Sequence, residues 1–266
     1  MLRPRIIPCL LIKDGGLVKT IQFDSPKYVG DPINAVRIFN EKEVDELIVL
    51  DIDATAQGRE PNYRLVADLA AECRMPLCYG GGVKTPEQIQ KIISLGVEKV
   101  AIGAAAVTAP QLIADAAARV GGQSIVVVMD VKKTGLLRRY EMFINNGRRA
   151  TGLDPVQFAV RSATLGAGEI VINSIDNDGV MKGYDHDLIG KIRAAVSIPV
   201  TSLGGAGSLD DIVGLIQRFG MIGAAAGSLF VFKGKYRAVL INYPSRADKD
   251  RLIALAGLAA IVADPK

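Results

Sequence analysis

Two glycine-rich segments are the parts of this sequence best suited to bind a phosphorylated ligand. In GGGVKTPE and LGGAGSLDD, the pairs Gly81, Gly82 and Gly204, Gly205 come just before a predicted helix. Backbone N–H groups at a helix amino terminus bind phosphate oxygens favourably. Two such segments at equivalent places predict a ligand with two phosphates. The alternative is that the glycines only permit tight turns.

An internal repeat makes the two segments equivalent. The run ELIVLDID, which starts at Glu46, matches EIVINSID, which starts at Glu169, and the glycines that follow match at the same spacing. Near the start of each half, the repeat sets Leu11 opposite Asp130. An aspartate exchanges protons and a leucine cannot, so the two halves differ at a position suited to acid–base chemistry. The alternative for Leu11 is one more packing residue on a buried strand.

The composition favours a globular protein with a small-molecule ligand. The chain has 266 residues, of which 49% are hydrophobic, enough for a sizeable core. Its net charge is +4, with both signs interspersed and no basic run interleaved with aromatic residues. This pattern argues against nucleic-acid binding and is compatible with an anionic substrate.

The cysteines and the histidine do not form a recognisable metal motif. Cys9, Cys73 and Cys78 lack metal-ligand spacing, and His186 is the single histidine. The sequence therefore predicts no metal, no other cofactor and no catalytic triad. Reduced cysteines and the lack of an apolar stretch long enough for a bilayer predict a cytoplasmic protein without membrane contact.

Short runs rich in β-branched residues alternate with segments of helical periodicity. Helices are predicted at Pro86 to Leu95 and Asp210 to Phe219, and Thr85, Asp154 and Ser208 precede helices as capping residues. The predicted strands are Arg5 to Ile12, Glu46 to Leu50, Pro76 to Tyr79, Lys99 to Ile102, Ser124 to Asp130, Glu169 to Asn173, Pro199 to Ser202 and Met221 to Ala225.

Eight strands in two matching halves predict an α/β fold, a single (β/α)8 TIM barrel with a twofold half-barrel repeat. A doubly wound open sheet is the alternative, but it does not predict a repeat of four βα units. In a (β/α)8 barrel, functional residues follow the carboxyl ends of the strands. We therefore expect the site to include Leu11, Asp130 and the glycine-rich segments.

A series of short motifs extends over roughly residues 1 to 232. In order, they are RIIPCLLIKDG, GDP, ELIVLDI, GGGV, AAV, VVVMDVK, GAGEI, SIDNDG, GYD and LGGAG. Together they resemble HisF, the synthase (cyclase) subunit of imidazole glycerol phosphate synthase. The resemblance implies a barrel that forms a heterodimer with a HisH-like glutaminase, receives ammonia through its lumen and uses it on a bisphosphorylated imidazole precursor.

The resemblance also implies roles for individual residues, and several of them depart from the family pattern. In the family, two aspartates act as the general acid and base. Asp130 matches one of them, whereas Leu11 stands in place of the other. Because leucine cannot exchange a proton, we expect weakened cyclase chemistry. Lys19 matches a lysine that helps hold substrate. Gly103 and Ala104 replace the usual asparagine and threonine, so we expect a phosphate site of different shape that relies on backbone donors. The expected phosphate-binding residues are Gly81, Gly82, Gly103, Ala104, Asp178, Gly179, Gly204, Gly205, Gly227 and Ser228.

A ring of alternating charges closes the amino-terminal end of the barrel in HisF. The matching residues are Arg5, Glu46, Lys99 and Glu169, so the resemblance implies that the gate through which ammonia enters is retained. The alternative is that these charges are salt bridges that only seal the bottom of the barrel.

The carboxyl-terminal segment, residues 233 to 266, is expected to be an extension packed on the barrel and frayed at its end. Its sequence is similar to HisF-like paralogues of the WbuZ type. These are found with a HisH-like glutaminase and a sugar amidotransferase in surface-polysaccharide synthesis, where ammonia is used for sugar amidation.

Three functions remain open on the sequence. The preferred one is a HisF-like subunit of a glutamine amidotransferase complex that conducts ammonia to a phosphorylated acceptor or a partner enzyme. The second is a working cyclase of histidine biosynthesis in which Asp14 or Asp51 replaces the missing acid. The third is a noncatalytic scaffold that binds phosphorylated metabolites, against which the retained Asp130 and charged ring argue.

Overall fold

A closed parallel barrel forms the centre of the molecule. The computed structural model describes residues 3 to 257. Its strands are β1 (Arg5–Lys13), β2 (Gly16–Ile21), β3 (Asp24–Gly30), β4 (Leu47–Asp51), β5 (Leu77–Gly80), β6 (Lys99–Ile102), β7 (Ile125–Thr134), β8 (Arg139–Ile144), β9 (Arg149–Ala150), β10 (Glu169–Ser174), β11 (Val200–Leu203), β12 (Gly223–Ala226), β13 (Phe232–Lys233) and β14 (Ala238–Val239).

The barrel strands are β1, β4, β5, β6, β7, β10, β11 and β12, and each pairs in parallel with its neighbours. The pairing of β12 with β1 closes the sheet. The predicted (β/α)8 barrel is therefore confirmed, and the open doubly wound sheet is wrong. Seven predicted strands agree with the structure to within two residues at each end. Only β7 extends further, to Thr134, because β8 pairs with it beyond the barrel.

Helices cover the outside of the barrel. They are α1 (Pro32–Glu41), α2 (Tyr63–Glu72), α3 (Pro86–Ser94), α4 (Ala104–Thr108), α5 (Gln111–Val120), α6 (Pro155–Thr164), α7 (His186–Ala195), α8 (Leu209–Phe219), α9 (Ser228–Val231) and α10 (Arg246–Leu255). The predicted caps are confirmed: Thr85, Asp154 and Ser208 accept hydrogen bonds from the first turns of α3, α6 and α8. None of these helices combines the length and apolarity needed to cross a membrane.

The interior of the barrel is mainly apolar. Because successive strand residues point to opposite faces, half of each strand faces the helices and half faces the lumen. The lumen is packed with buried side chains that include Ile7, Cys9, Ile48, Val126 and Val171. Leu11, Leu50 and Val128 pack against this cluster at its upper end.

The two halves of the barrel share a feature that the sequence did not predict. The first strand of each half continues past the barrel into antiparallel strands: β1 pairs with β2, and β2 with β3. In the same way, β7 pairs with β8, and β8 with β9. Both extensions rise from the carboxyl ends of barrel strands, so they border the site.

The carboxyl-terminal segment runs from the carboxyl ends of the barrel strands toward their amino-terminal ends. After β13 and β14, the Tyr243 hydroxyl donates to the Ile6 carbonyl (2.8 Å). On α10, the Lys249 amine lies 2.6 Å from the Asp45 carboxylate. Residues 233 to 257 thus contact the barrel, whereas the frayed end that we predicted lies mostly beyond the described residues.

Candidate functional site

A cavity of about 160 Å³ opens at the carboxyl ends of the barrel strands. Nearly all of the sequence-predicted catalytic and phosphate-binding residues line it: Leu11, Lys19, Gly81, Gly103, Ala104, Asp130, Asp178, Gly179, Gly204, Gly205, Gly227 and Ser228. The exception is Gly82, which lies in an adjoining cleft. The fold thus brings together residues that are far apart in the sequence.

Asp130 is a partly buried carboxyl group in the wall of this cavity. Burial raises its pKa to about 7, and the nearby Asp178 carboxylate acts in the same direction. The Asn173 amide opposes this rise, because it donates a hydrogen bond to Asp130 Oδ1 (3.0 Å). A carboxyl group with a pKa near neutrality can serve as either acid or base. Leu11 lines the same cavity and offers no second proton-transfer group.

Lys19 folds inward from β2 to the cavity wall. Its side chain is buried, and its amine donates to the Cys9 carbonyl. Burial lowers the pKa of Lys19, while the charge of Asp178 raises it. A Cβ atom added to Gly227 would lie 2.7 Å from the amine, so Gly227 leaves the space that the lysine occupies. Lys19 therefore brings a positive charge to the strand end of β12.

Asp178 fastens the hairpin of β2 and β3 to the loop after β10. Its carboxylate accepts hydrogen bonds from the Thr20 hydroxyl (2.7 Å) and the Phe23 N–H (3.3 Å). Its own N–H donates to the Ser174 and Ile175 carbonyls. The donor that a phosphate would need is thus already engaged, and Asp178 contributes to the site by holding the hairpin over the cavity.

The two glycine-rich loops have matching backbone conformations. Gly81 and Gly204 both have positive φ angles, +124° and +93°. A Cβ atom on Gly81 would lie 2.5 Å from the Asp51 carbonyl oxygen, and one on Gly204 would lie 2.7 Å from that of Ser174. In each loop, the glycine is required because the backbone passes directly against the end of the neighbouring strand.

Not every N–H group in these loops is available to a ligand. The Gly82 N–H donates to the Thr55 hydroxyl (3.2 Å). At the start of α8, the Asp211 carboxylate accepts from the N–H groups of Gly207 (2.8 Å) and Ser208 (2.9 Å). Among the described residues, the Gly205 N–H has no hydrogen-bond partner. In the second loop, the Gly205 N–H is thus a free backbone donor in the cavity wall.

A second cleft extends the cavity past the first glycine-rich loop. Its volume is about 290 Å³, and Gly81, Gly82, Gly103 and Ala104 line it. It also contains two basic side chains, those of Lys84 and Arg149. Cations therefore lie on both sides of the mouth, with Lys19 near one loop and this basic pair near the other.

The two carboxylates considered as substitutes for the missing acid differ in position. Asp51 lines the cavity, but its Oδ1 accepts from the N–H groups of Asp53 (3.1 Å) and Ala54 (3.0 Å). Its Oδ2 lies 3.8 Å from the Arg59 guanidinium. Asp14 is exposed in the turn between β1 and β2, outside the cavity lining. Asp51 thus lines the cavity, but its carboxylate is already bonded to groups of its own loop.

A closed ring of charges lies at the opposite end of the barrel. The Lys99 amine is 2.8 Å from the carboxylates of both Glu46 and Glu169. Arg5 pairs with Glu46 and, at 2.7 Å, with Glu169. Burial alone would raise the pKa of Glu169. The charges of Arg5 and Lys99 outweigh burial and hold this pKa well below its usual range. Each of the two cations thus contacts both carboxylates of the predicted ring.

Several residues of the cavity wall were missed by the sequence analysis. The hairpin of β8 and β9 contributes Met142, Phe143 and Asn145, and β10 contributes Asn173. The hairpin lies outside the eight predicted barrel strands, although Met142 on it is buried, whereas Asn173 could have been noticed at the end of a predicted strand. His186 lies outside the cavity, stacked on Phe219 (5.9 Å between centroids). Residues 3 to 257 contain no group of three His, Cys, Asp or Glu side chains placed to hold a metal.

Comparison with known proteins places the chain in a family. A family model described as histidine biosynthesis protein matches residues 5–237, which include the whole barrel. A Leptospira interrogans protein, named provisionally as imidazole glycerol phosphate synthase subunit HisF, is 56% identical over 252 residues, covering 95% of this chain and 99% of the relative.

Two further relatives carry similarly provisional names. One from Vibrio vulnificus, imidazole glycerol phosphate synthase subunit hisF3, is 56% identical over 255 residues, covering 96% of this chain and 98% of its own. One from Pseudomonas aeruginosa, subunit hisF2, is 55% identical over 244 residues, covering 92% and 97%. The chain therefore belongs to the histidine biosynthesis protein family, and within it to the HisF-like synthase subunits.

Proposed function

We propose that this HisF-like subunit belongs to a glutamine amidotransferase complex. In this proposal, it conducts ammonia from a HisH-like glutaminase through the barrel to a phosphorylated acceptor or partner enzyme. The pathway we favour is sugar amidation in surface-polysaccharide synthesis, as in paralogues of the WbuZ type. Its own cyclase chemistry is weakened or lost.

The observation that carries this proposal is the contrast between Leu11 and the charged ring. Ring closure and cleavage need two groups that exchange protons on either side of the reacting atoms. Asp130 is suited to one of these roles, because burial raises its pKa to about 7. Leu11 cannot fill the other role, while the ring at the far end is complete.

The apolar lumen supports ammonia conduction. Ile7, Ile48, Val126 and Val171 are buried in the lumen, which lies between the ring and the mouth. An apolar interior strongly disfavours a charged ion such as ammonium, but it disfavours neutral ammonia far less. The lumen would therefore admit the nucleophilic form and exclude its protonated form.

The mouth supports an anionic ligand with two phosphates. Gly205 offers an N–H donor near the end of β11, and Lys19 lies beside Gly227 on the same side. The cleft containing Lys84 and Arg149 is on the other side. With Ala104 in place of a hydroxyl-bearing residue, this side relies on backbone donors and the two cations.

The test of this proposal is association with a HisH-like glutaminase at the ring end. We expect the purified chain to bind the glutaminase and to raise its rate of glutamine hydrolysis. Glu98 is exposed beside the ring, so Glu98→Lys should weaken binding. Glu87→Lys, at the opposite end of the adjacent helix α3, is the matched control. If no HisH-like glutaminase binds the chain, the proposal fails.

The names of the relatives favour a second candidate, the cyclase of histidine biosynthesis. This candidate requires another acid near Asp130, and Asp51 is the carboxylate in the cavity wall. It predicts turnover of the imidazole precursor with free ammonium, abolished by Asp51→Asn and unchanged by Asp14→Asn. Turnover that survives both changes would remove this explanation.

A further inference from the structure

We infer that the rim of the barrel mouth is the docking surface for an acidic partner enzyme, the one that consumes the ammonia. This inference rests on the proposed function. We define the mouth rim as residues 13 to 30, 131 to 150 and 232 to 241, which form the extensions around β2–β3, β7–β9 and β13–β14.

The three parts of the mouth rim surround the same opening. Phe23 and Asn145 line the cavity from the first two parts. The third part is joined to the site by Arg237, whose guanidinium donates to the Gly179 carbonyl (2.9 Å). It also meets the first part, because the Lys27 amine lies 5.2 Å from the centre of the Phe232 ring. A protein seated on the rim would therefore cover the mouth.

Large exposed hydrophobic side chains are concentrated on the mouth rim. Leu136 is fully exposed, Tyr236 is 90% exposed and Leu137 is 75% exposed. Ile21, Tyr28, Val239 and Leu240 are the other exposed members on the rim, whereas only Ile38, Val160 and Leu255 lie elsewhere in residues 3 to 257. Exposed apolar side chains that cluster on one face indicate a protein contact.

The mouth rim is also strongly basic. Its three segments contain twelve Lys and Arg residues and three Asp and Glu residues, giving a formal charge of +9, whereas the whole chain carries +4. The rest of the chain is thus net negative. The fold brings these three basic segments together around the mouth, where Lys133 pairs with Asp185 (3.1 Å) and the positive charge is in excess.

The charge decides what kind of occupant fits. A second copy of this chain would bring its own positive rim and be repelled, whereas an acidic protein face would be attracted. A phosphorylated small molecule would account for the charge but not for Leu136, Leu137 and Tyr236, which are exposed and do not line the cavity. A protein with an acidic face and apolar pockets accounts for both.

A partner that covers the mouth would also protect the ammonia from protonation by bulk water. Ammonia that leaves the apolar lumen into bulk water at neutral pH is protonated and loses its nucleophilic lone pair. A partner that covers the mouth keeps the path dry up to its own site. An anionic membrane would also attract basic and apolar residues, but it would offer no acceptor for ammonia at the opening.

The test uses the complex of this chain with its HisH-like glutaminase, immobilised through the glutaminase. The probe is the sugar amidotransferase, and its association is measured at low and high salt. Leu137→Ser with Arg138→Glu alters the rim, and both residues are exposed. Val160→Ser with Arg161→Glu is the control, because these neighbours on α6 are also an exposed apolar and basic pair.

We expect the rim pair to weaken binding at least tenfold and the control pair to change it less than twofold. The on-rate should fall as salt rises, since opposite charges steer the encounter. Glutaminase stimulation should be the same in both variants, so a failed glutaminase interaction would count against the proposed function alone. Three results would overturn the docking surface: no amidotransferase binding by the unmodified complex, equal binding by both variants, or rim-dependent binding to phosphatidylglycerol vesicles instead.

Discussion

The two ends of the barrel differ in whether their charged side chains are paired with opposite charges. At the strand amino-terminal end, Arg5, Glu46, Lys99 and Glu169 neutralise one another in a closed set of ion pairs. At the mouth, the partly buried Asp130 carboxyl group accepts from an amide rather than a cation, and desolvation raises its pKa to about 7. Because the ring charges are paired with one another, they close this end of the barrel. The Asp130 carboxyl group has no such counter-ion and is available to a ligand.

The largest effect should come from opening the charged ring. Glu169→Ala leaves Arg5 and Lys99 with one carboxylate between them, and breaking a buried ion pair in this way costs about 3–5 kcal/mol. We expect a loss of this order in the free energy of unfolding, measured by urea denaturation at pH 7. Because the folded-state pKa of Glu169 lies below its unfolded value, the contribution is present at neutral pH and lost as the solution becomes acidic.

The control for the ring is an exposed ion pair. Glu72→Ala removes the partner of Arg37 on the outer surface, and surface pairs contribute little. If Glu169→Ala lowered stability no more than Glu72→Ala, the ring could not be a tightly coupled closure.

A smaller effect is expected from the glycine-rich loops at the mouth. Gly204→Ala places a methyl group 2.7 Å from the Ser174 carbonyl at a positive φ angle, which should cost about 1–3 kcal/mol and distort the loop. We expect at least tenfold weaker binding of inorganic pyrophosphate, measured by calorimetry. Gly214→Ala, within α8 and outside the cavity lining, is the control, because an added Cβ atom would meet nothing within 4 Å there. Equal losses in the two variants would mean that loop geometry does not control phosphate binding.

The smallest effect concerns the proton affinity of Asp130. The hydrogen bond from Asn173 favours the ionised carboxylate, so Asn173→Leu should raise the Asp130 pKa by about one unit above its value near 7. Carbon-detected NMR titration of labelled aspartate would measure it. Asn145→Ala, which also alters the mouth but does not bond to Asp130, should leave the pKa unchanged. A fall in the Asn173→Leu variant would show that the amide does not stabilise the charged form.

The barrel could be predicted because buried parallel strands have a strong sequence signal. Runs such as Ile125 to Met129 are apolar and β-branched, and caps such as Thr85 and Ser208 mark where the next helix begins. The internal repeat of four βα units then favoured a barrel over an open sheet. In (β/α)8 barrels, functional residues follow the carboxyl ends of the strands, and this regularity predicted most of the cavity lining from the sequence.

The parts that could not be predicted lie outside the buried core. The strand from Asp24 to Gly30 is almost wholly exposed, so no alternation of apolar and polar residues marks it. The burial of Lys19 and the contact between Asn173 and Asp130 depend on tertiary packing. The basic character of the three mouth-rim segments can be counted in the sequence, but their meeting around one opening depends on the fold.

The most direct test of the central claim is cyclase turnover by the purified chain and by its Leu11→Asp variant. Each would be supplied with the bisphosphorylated imidazole precursor and excess ammonium, so that no glutaminase is needed. We predict no turnover by the unmodified chain and a gain of activity in Leu11→Asp, because a second proton-transfer group would then face Asp130 across the cavity. Turnover by the unmodified chain would contradict the account and identify a working cyclase whose acid lies elsewhere.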